Sequence, residues 1–407
     1  MNIVKNFPLL LPSDADMSKW AVIACDQYTT DEKYWETLSD YIGDAPSTLN
    51  LILPEIYLKE KDVEKRIQKI NETMNIYCES GLFHEVGGYV LTERTLSDGR
   101  KRLGLVASVD LDEYDYLRDD VKIRSTEQTI EERLPFRIHI RENAPIELPH
   151  ILLLLDDSER NIILPLYKQR VKFKKLYDFD LNMDGGHVRG YEIPERFLGQ
   201  EKFDALLSPA LQEKKYGKNA GLLFAIGDGN HSMATAKKCW EAIKPSLSEK
   251  ERQNHPARYV LVEIVNVYDE ALDFLPIHRN VFCSSPDDFV FGLKEALGGG
   301  NGTLKIITKS GETLLPCPEN AAKTIVSVQK YLEKYAQKEK IRIEYVHESK
   351  KVIEDGQKDG GVGILMPSFP KEDLFPYVIR KGKLPKKAFS IGEEKTKKYY
   401  IEAKRIK

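Results

Sequence analysis

The sequence lacks the features that mark secreted, membrane and zinc-knuckle proteins. Its 407 residues include only five cysteines, which are far apart in the chain and form no Cys-x-x-Cys pair. This spacing gives neither a disulfide framework nor a zinc knuckle. The first apolar run is short and interrupted by Pro8 and Pro12, unlike a signal peptide, and no stretch reaches the length of a membrane span. We therefore expect a cytoplasmic, reduced protein with no membrane partner.

An excess of charge of one sign is also missing. Lys and Arg total 61 while Asp and Glu total 64, which gives a net charge of −3. This balance produces no global attraction to nucleic acid, and no basic helix-turn-helix is present, so nucleic acid is not an expected partner. Hydrophobic residues make up 41% of the chain, which is ordinary for a globular protein. The length alone predicts two or three domains.

Apolar periodicity predicts an α/β protein with a mixed sheet. Helices are predicted around residues 63–77, 203–211, 232–244 and 320–338. Strands are predicted at residues 89–94, 102–109, 150–155, 162–167, 221–226, 258–267, 305–309, 341–347 and 360–367. Ser97-Asp98-Gly99 between the first two strands predicts a hairpin. The composition shifts near residue 284, so we place a main α/β domain at residues 1–283 and a smaller C-terminal α/β extension at residues 284–407.

The most informative stretch is a glycine-rich turn between an apolar strand and a helix. The strand at residues 221–226 is followed by Gly227-Asp228-Gly229-Asn230-His231 and then by the helix at residues 232–244. Free backbone amides and the positive end of the helix dipole would converge above such a turn, which suits a phosphate. A strand at residues 258–267 would complete a βαβ-like unit. The alternative is a plain glycine bend with a hydrogen-bonded histidine.

A second stretch, residues 121–142, is dense in polar groups. Arg137, His139 and Arg141 alternate with isoleucine, which predicts a strand with three cationic or polar groups on one face. Two arginines and a histidine on one face could bind phosphate or carboxylate oxygens. The alternative is an exposed face on which the arginines pair with the glutamates nearby.

One acidic segment and one basic segment each allow a functional and a purely structural interpretation. Asp156 and Asp157 follow a buried strand and could bind a metal, although the segment also has the composition of a polar turn. The tail at residues 382–407 is basic. It could form a rim over an anionic ligand or remain a solvated terminal segment.

Several ordered motifs resemble the family catalogued as domain of unknown function 1015, over nearly the whole chain. The matching motifs are Asp26-Gln27-Tyr28, residues 123–129, Asp228-Gly229-Asn230-His231, Pro276-Ile277-His278-Arg279, and residues 389–392 with 398–400. The Asp-Gly-x-His turn is also distantly similar to the nucleotide-binding box of the ParB/sulfiredoxin superfamily, which includes ParB-like free serine kinases. This resemblance implies a ParB/sulfiredoxin-like nucleotide-binding core, elaborated by extra strands and helices.

The chain departs from that superfamily at two motifs. Where the kinases carry Ile-x-x-His-Glu, this chain has Thr126 before Glu127. Where many relatives carry Asp-Gly-His-His-Arg, Asn230 and Ser232 flank His231. Without an arginine at position 232, a bound phosphate would lack one of its cations. Arg124, Arg137 or Arg279 could supply this charge instead.

The resemblance and the turn together predict a nucleotide-dependent phosphotransferase that acts on a small hydroxylated metabolite, such as the amino acid serine. ATP or ADP with Mg²⁺ is the expected cofactor, and a homodimer is compatible with the sequence. The predicted catalytic residues are Glu127 as proton acceptor, His231, and Asp228, which would also bind the metal. The predicted phosphate-binding residues are Gly227, Gly229, Asn230, Ser232, Arg137 and Arg279. The predicted substrate-binding residues are Asp26, Gln27, Tyr28, Arg124, Thr126, Thr129, His139 and His278.

Two other functions use the same residues. A nucleotide-gated binding or regulatory protein of ParB type would bind nucleotide without phosphorylating a metabolite. A metal-dependent hydrolase would use Asp156, Asp157, Asp228 and His231.

Overall fold

The computed structural model describes residues 3–148 and 150–407. The chain forms two compact units. The first contains the chain up to Leu272 together with Glu393–Lys407, and the second is Asp273–Gly392. The sequence prediction divided the chain once, at residue 283, whereas in the structure the last fifteen residues return to the first unit.

A nine-stranded mixed sheet forms the centre of the first unit. Its strands run in the order Lys174–Asp180, His187–Glu192, Val90–Thr95, Lys101–Asp110, Tyr259–Asn266, Leu152–Leu155, Phe224–Asp228 and Ile123–Ser125, with Val4–Lys5 added on Lys101–Asp110. Two neighbouring pairs are parallel, Tyr259–Asn266 with Leu152–Leu155 and Phe224–Asp228 with Ile123–Ser125. The remaining pairs are antiparallel. The predicted mixed α/β class is confirmed, as is the hairpin across the Asp-Gly turn.

Helices and short strand pairs surround this sheet. The α-helices of the first unit are Met17–Trp20, Glu32–Ile42, Val63–Glu79, Leu134–Asn143, Ile163–Lys168, Glu201–Leu206, Pro209–Tyr216, Asn230–Ile243 and Glu249–Asn254. Its 3-10 turns are Thr48–Leu51, Glu55–Tyr57, Leu111–Glu113, Glu131–Arg133, Arg170–Lys172, Glu195–Phe197, Lys244–Ser246, Pro256–Arg258 and Glu394–Thr396. Its two-stranded pairs are Leu9–Pro12 with Phe83–Val86, Val22–Ile23 with Tyr399–Tyr400, and Ile146–Glu147 with Lys404–Arg405. Trp20, Trp35 and Trp240 are fully buried in the core.

The second unit contains a five-stranded antiparallel sheet. Its order is Gly311–Cys317, Gly302–Thr308, Gly361–Leu365, His278–Phe282 and Arg342–Val346. A separate pair joins Phe274–Pro276 to Phe389–Ile391. The helices are Pro286–Leu297, Ala321–Lys338, Ser349–Gly356 and Leu374–Lys381, with a 3-10 turn at Lys371–Asp373.

The structure corrects three local predictions. Residues 134–143 form a helix instead of a strand, because a proline in the first helical turn favours a helix start and a short apolar alternation does not exclude one. Ile163–Lys168 is also helical, since Pro165 would remove a hydrogen bond from a central strand. The strands Phe224–Asp228 and Tyr259–Asn266 run in opposite directions on either side of Leu152–Leu155, so the predicted βαβ-like unit is wrong.

Among the described helices, none combines the length and the apolar character that crossing a membrane requires. All five cysteines are free thiols.

Candidate active site

The glycine turn opens a helix whose first amides have no side-chain cap. Gly229 has a φ of +80°, and a Cβ at this position would lie 2.9 Å from the Cα of Ile151. Only glycine satisfies both conditions without strain. The helix that follows, Asn230–Ile243, which we call the Asn230 helix, begins at Gly229 without a side-chain hydrogen bond to its N-terminus. Its first backbone N–H groups are therefore oriented to receive an anion.

The predicted proton acceptor, Glu127, leaves the sheet at the same edge as this turn. The strand Ile123–Ser125 runs parallel to Phe224–Asp228, with Ser125 opposite Ile226. The Thr126 hydroxyl donates a hydrogen bond to the Ile226 carbonyl at 2.7 Å. Glu127 comes two residues after the end of one strand, and Asp228 is the last residue of its neighbour. Both residues thus lie at the strand ends where open α/β sheets place ligands.

A lysine from the C-terminal segment reaches the turn. Lys397 Nζ lies 3.1 Å from Asp228 Oδ2, and the lysine side chain is largely buried. The other carboxylate oxygen of Asp228 accepts a hydrogen bond from the N–H of Gly229. Arg94 holds this segment in place, because its guanidinium donates to the carbonyls of Lys395 and Lys397 at 3.0 and 3.1 Å. The basic tail thus contributes a cation to the site.

A buried chain of three side chains lies beside the turn. His150 Nε2 is 3.2 Å from Asp26 Oδ2, and His150 Nδ1 is 2.8 Å from the hydroxyl oxygen of Tyr400. That hydroxyl oxygen also accepts a hydrogen bond from the N–H of Cys25 at 3.2 Å. Sequence reasoning missed His150, since it stands at the start of an apolar strand and no local motif marks it.

Asp26 and His150 form an ion pair. Burial alone would raise the pKa of Asp26, but the charge of His150 and the hydrogen bond to it outweigh burial and hold this pKa well below its ordinary value. Burial would lower the pKa of His150, yet the charge and hydrogen bond of Asp26 raise it, with a smaller contribution from Asp228. The pairing with Asp26 therefore favours the protonated form of this imidazole, which lies close to the glycine turn.

His231 is a neutral imidazole at the start of the Asn230 helix. Burial, together with the positive charges of Arg137 and Arg133, lowers its pKa to about 4. Its Nε2 accepts a hydrogen bond from the N–H of Ile130 at 3.2 Å. The proton of the neutral ring is consequently on Nδ1, which makes His231 a hydrogen-bond donor rather than a cation.

The helix Leu134–Asn143, which we call the Leu134 helix, separates the three side chains that the predicted strand had placed together. Arg137 and Arg141 are four residues apart and line the same cavity. His139 is on another face, half exposed, and pairs with Glu64 at 3.1 Å and with Glu142 at 2.9 Å. The predicted placement of His139 beside the two arginines is therefore wrong, because a helix turns successive residues by about 100°.

The guanidinium groups of Arg137 and Arg124 are both bound within the first unit. Arg137 forms an ion pair with Glu55 and donates to the carbonyl of Arg133. Arg124 is buried and donates to the carbonyls of Val121 and Ala220 at 2.9 and 2.6 Å, so it joins two loops.

The remaining predicted substrate residues of the first unit make contacts with their neighbours. Gln27 donates to Asp26 Oδ1 at 2.8 Å. The ring of Tyr28 stacks on that of Tyr34 at 3.8 Å. Thr129 lies beside the hydroxyl of Tyr114.

His278 and Arg279 belong to the second unit, where their side chains have partners of their own. His278 Nδ1 accepts a hydrogen bond from the N–H of Met366 at 3.0 Å, and its Nε2 is 3.0 Å from the Ser349 hydroxyl. The guanidinium of Arg279 donates to the carbonyl of Lys387 at 2.9 Å. These contacts hold strands and loops of that unit together.

The donor set does not match a resident metal centre. Among residues 3–148 and 150–407, no group of three or more His, Cys, Asp or Glu side chains is placed to hold a metal. Asp156 binds Lys215 Nζ at 2.6 Å and the Tyr216 hydroxyl at 2.5 Å, and Asp157 accepts from the N–H of Ile162. The four residues predicted for a hydrolase therefore do not form one cluster.

These features define an α/β protein in which an uncapped helix start lies near a Lys397–Asp228 pair and a buried His150–Asp26 pair. Residues 7–354 match the sequence profile of the family described as 'Protein of unknown function (DUF1015)'. The chain belongs to this family. A search of curated proteins gives no match.

The solved structures that match this chain are distant from it in sequence. A conserved hypothetical protein from Pyrococcus furiosus is 12% identical with a TM-score of 0.35, and the alignment covers 73% of this chain and 90% of that one. A free serine kinase in complex with AMP is 13% identical with a TM-score of 0.39, covering 74% and 91%. SbnI with a C-terminal truncation, from Staphylococcus aureus, is 10% identical with a TM-score of 0.39, covering 70% and 83%. Similarities this low carry no argument about activity.

Proposed function

We propose that the protein is a nucleotide-dependent phosphotransferase that acts on a small hydroxylated molecule. The observation that carries this proposal is the start of the Asn230 helix. Its amides lack a side-chain cap, and the turn before it accepts only glycine at position 229. Phosphoryl transfer needs mainly positioning and charge neutralisation, and the free amides of this helix start would contribute to both.

Three groups would neutralise the nucleotide phosphates. The backbone N–H groups at positions 230–232 would donate hydrogen bonds, aided by the helix dipole. The Lys397 ammonium is held next to the turn by Asp228. His150, whose pKa is raised by its pairing with Asp26, would add a second positive charge nearby. Lys397 and His150 would then supply the positive charge that Ser232 cannot.

Magnesium would arrive as part of the nucleotide. Mg²⁺ is usually held by one or two carboxylates together with substrate phosphates. Asp228 is a half-buried carboxylate at the turn, and its Oδ2 is bound by Lys397. Asp228 would hold the Mg²⁺ of a bound Mg²⁺–nucleotide, and the ion would offset the negative charge of the phosphates, with Lys397 beside it.

Glu127 would accept the proton of the acceptor hydroxyl. As the acceptor oxygen forms its bond to the terminal phosphorus, the bond from that phosphorus to the nucleotide breaks, so ATP leaves as ADP or ADP leaves as AMP. A well-placed general base contributes about 10²–10⁴-fold to such a step. His231, as a neutral Nδ1 donor, would orient a phosphate oxygen.

The test is nucleotide binding by the purified protein. We expect ATP or ADP with Mg²⁺ to raise the melting temperature, since a ligand that binds only the native state stabilises it. The variant Glu127→Gln should retain binding and lose turnover. If no adenine nucleotide stabilises the protein, the proposal is wrong; if Glu127→Gln loses binding, Glu127 is structural.

One observation favours a nucleotide-gated binding protein as a second candidate. Thr126 occupies the position of a histidine in the kinases that the motif resembles, and its hydroxyl is used in a hydrogen bond to the Ile226 carbonyl. Such a protein would bind nucleotide at the same turn and transfer no phosphoryl group. Nucleotide binding without product across a panel of alcohols would select this function.

A further inference from the structure

A cavity of about 130 Å³ lies beside the start of the Asn230 helix. The Leu134 helix, the segment around residues 51–58 and the Asn230 helix contribute to its lining. Most of the wall is apolar, and includes Leu51, Leu53, Met74, Phe136 and Ile140. The volume is close to the roughly 150 Å³ of an interior cavity that holds benzene. The cavity therefore suits a compact ligand with an apolar body.

The polar groups of the cavity include one residue of the phosphate-binding turn. Ser232 lines the cavity and is also the third residue of the Asn230 helix. A hydroxyl group at this end of the cavity would lie next to a phosphate bound at the helix start. The cavity and the proposed nucleotide site are thus continuous through one residue.

The cationic side chains in the lining are already paired with carboxylates, and His150 pairs with Asp26 at 3.2 Å. Arg137 forms an ion pair with Glu55. Arg141 Nη2 lies 2.5 Å from Glu147 Oε2, and both side chains are largely buried. A ligand with a net charge would have to break one of these pairs, which is costly in a buried setting. The lining therefore favours a ligand that carries no net charge.

The Tyr400 hydroxyl gives this apolar space a hydrogen-bond donor. When His150 is protonated, its Nδ1–H donates to the Tyr400 oxygen, which also accepts from the N–H of Cys25. The hydroxyl proton of Tyr400 then points to the Cys25 sulfur or to a ligand, since both residues line the cavity. Burial keeps the pKa of Tyr400 well above its ordinary value, so the hydroxyl remains a donor.

We propose that this cavity binds the phosphoryl acceptor, and that the acceptor is a small alcohol with an apolar body and no net charge. In calling the ligand an acceptor, this proposal rests on the proposed function. The apolar wall would take the body, Tyr400 would donate to an oxygen, and the reacting hydroxyl would face Ser232. An entirely polar acceptor such as serine would leave the apolar wall unused.

Binding of four alcohols to the full chain, without nucleotide, tests the proposal by calorimetry. Benzyl alcohol is uncharged with an apolar body, threonine is a zwitterion with a methyl group, glycerol is polar throughout, and 3-hydroxybutyrate is an anion. We expect benzyl alcohol to bind at least about tenfold more tightly than glycerol or 3-hydroxybutyrate, and threonine to bind with intermediate affinity. A tenfold difference corresponds to about 1.4 kcal/mol, and the burial of one apolar group contributes more than that.

Three variants locate the binding in the cavity. Ile140→Trp would fill it and abolish binding of benzyl alcohol. Ile138→Trp is the matched control, because Ile138 is on the same helix, is also packed against the core, and lies outside the lining. Tyr400→Phe should weaken binding about threefold to tenfold, as expected for one neutral hydrogen bond. If Ile140→Trp does not fold, Ala144→Val narrows the same cavity with a smaller change.

Equal affinity for all four alcohols, or unchanged affinity in the folded cavity-filling variant, would overturn the proposal. A different result would reject the proposed function and leave the cavity as an alcohol-binding site: the protein binds no nucleotide, but it binds benzyl alcohol and Ile140→Trp abolishes that binding. Nucleotide binding without any alcohol binding would reject the cavity alone. The two proposals therefore fail separately.

Discussion

Lys397 Nζ lies 3.1 Å from Asp228 Oδ2, although 169 residues separate the two in the chain. The pair joins the C-terminal segment to the glycine turn within the first unit. It also gives the turn a cation that is absent from the local motif. The segment is fixed by Arg94, which donates to the carbonyls of Lys395 and Lys397. The last residues of the chain therefore belong to the candidate site.

Replacing this lysine should weaken nucleotide binding. We expect Lys397→Met to raise the dissociation constant of Mg²⁺–ATP about thirtyfold, since a charged hydrogen bond contributes about 2 kcal/mol. Lys395→Met is the matched control, because Lys395 is more exposed and pairs with Glu393 at 3.3 Å, away from the turn residue Asp228. Calorimetric titration measures both. Equal effects of the two changes would mean that Lys397 acts through general charge and not through its position at the turn.

The turn should not tolerate a side chain at position 229. Gly229→Ala combines the strain of a left-handed backbone with contact between the new Cβ and the Ile151 Cα, and we expect a loss of about 2–4 kcal/mol in the free energy of unfolding. Gly217→Ala is the control, since Gly217 also has a positive φ, of +76°, with open space around it. It should cost about 1–2 kcal/mol. Urea denaturation measures the difference, and equal losses would contradict the close approach.

The Asp26–His150 pair should make stability depend on pH. His150 has a raised pKa in the folded state, so the stability it contributes is complete below pH 6.5 and is lost as the pH rises through the folded pKa. Asp26 has a lowered pKa, so its contribution is present above pH 3.8 and is lost only in stronger acid. The change Asp26→Asn should lower the pKa of His150, measured by NMR titration of the ring. An unchanged titration would mean that the two side chains do not form an ion pair.

His231 should give stability the opposite dependence on pH from that of His150. Its pKa is lowered to about 4 by burial and by Arg137 and Arg133, so the unfolded chain binds the proton first as the pH falls. The stability of the native state should decline from pH 6.5 towards pH 4. His231→Gln should remove this part of the pH dependence, seen in denaturation midpoints across that range. A ring that titrates near 6.5 by NMR would show that His231 is solvated and available as a cation.

Local sequence patterns identified the glycine turn, but they predicted a strand where the structure has the Leu134 helix. Gly227 to His231 could be recognised because glycines, a carboxylate and a helix start are contiguous in the chain. Arg137, His139 and Arg141 alternate as they would in a strand, but Pro135 and packing on neighbouring helices favour a helix. Ten residues of ambiguous periodicity do not decide between the two, and tertiary contacts do.

The sequence by itself determined the α/β class, the hairpin, the family and the glycine turn, because each depends on residues that are close together or on motifs in a fixed order. The tertiary structure decided which distant side chains complete the turn. His150 and Lys397 carry no local signal, and the family motif that contains Tyr400 does not show what this residue contacts. They meet Asp26 and Asp228 only when Tyr399–Tyr400 pairs with Val22–Ile23 and the C-terminal segment returns to the first unit. Pairing between strands far apart in the chain is stabilised by the whole fold, so no short window of sequence contains it.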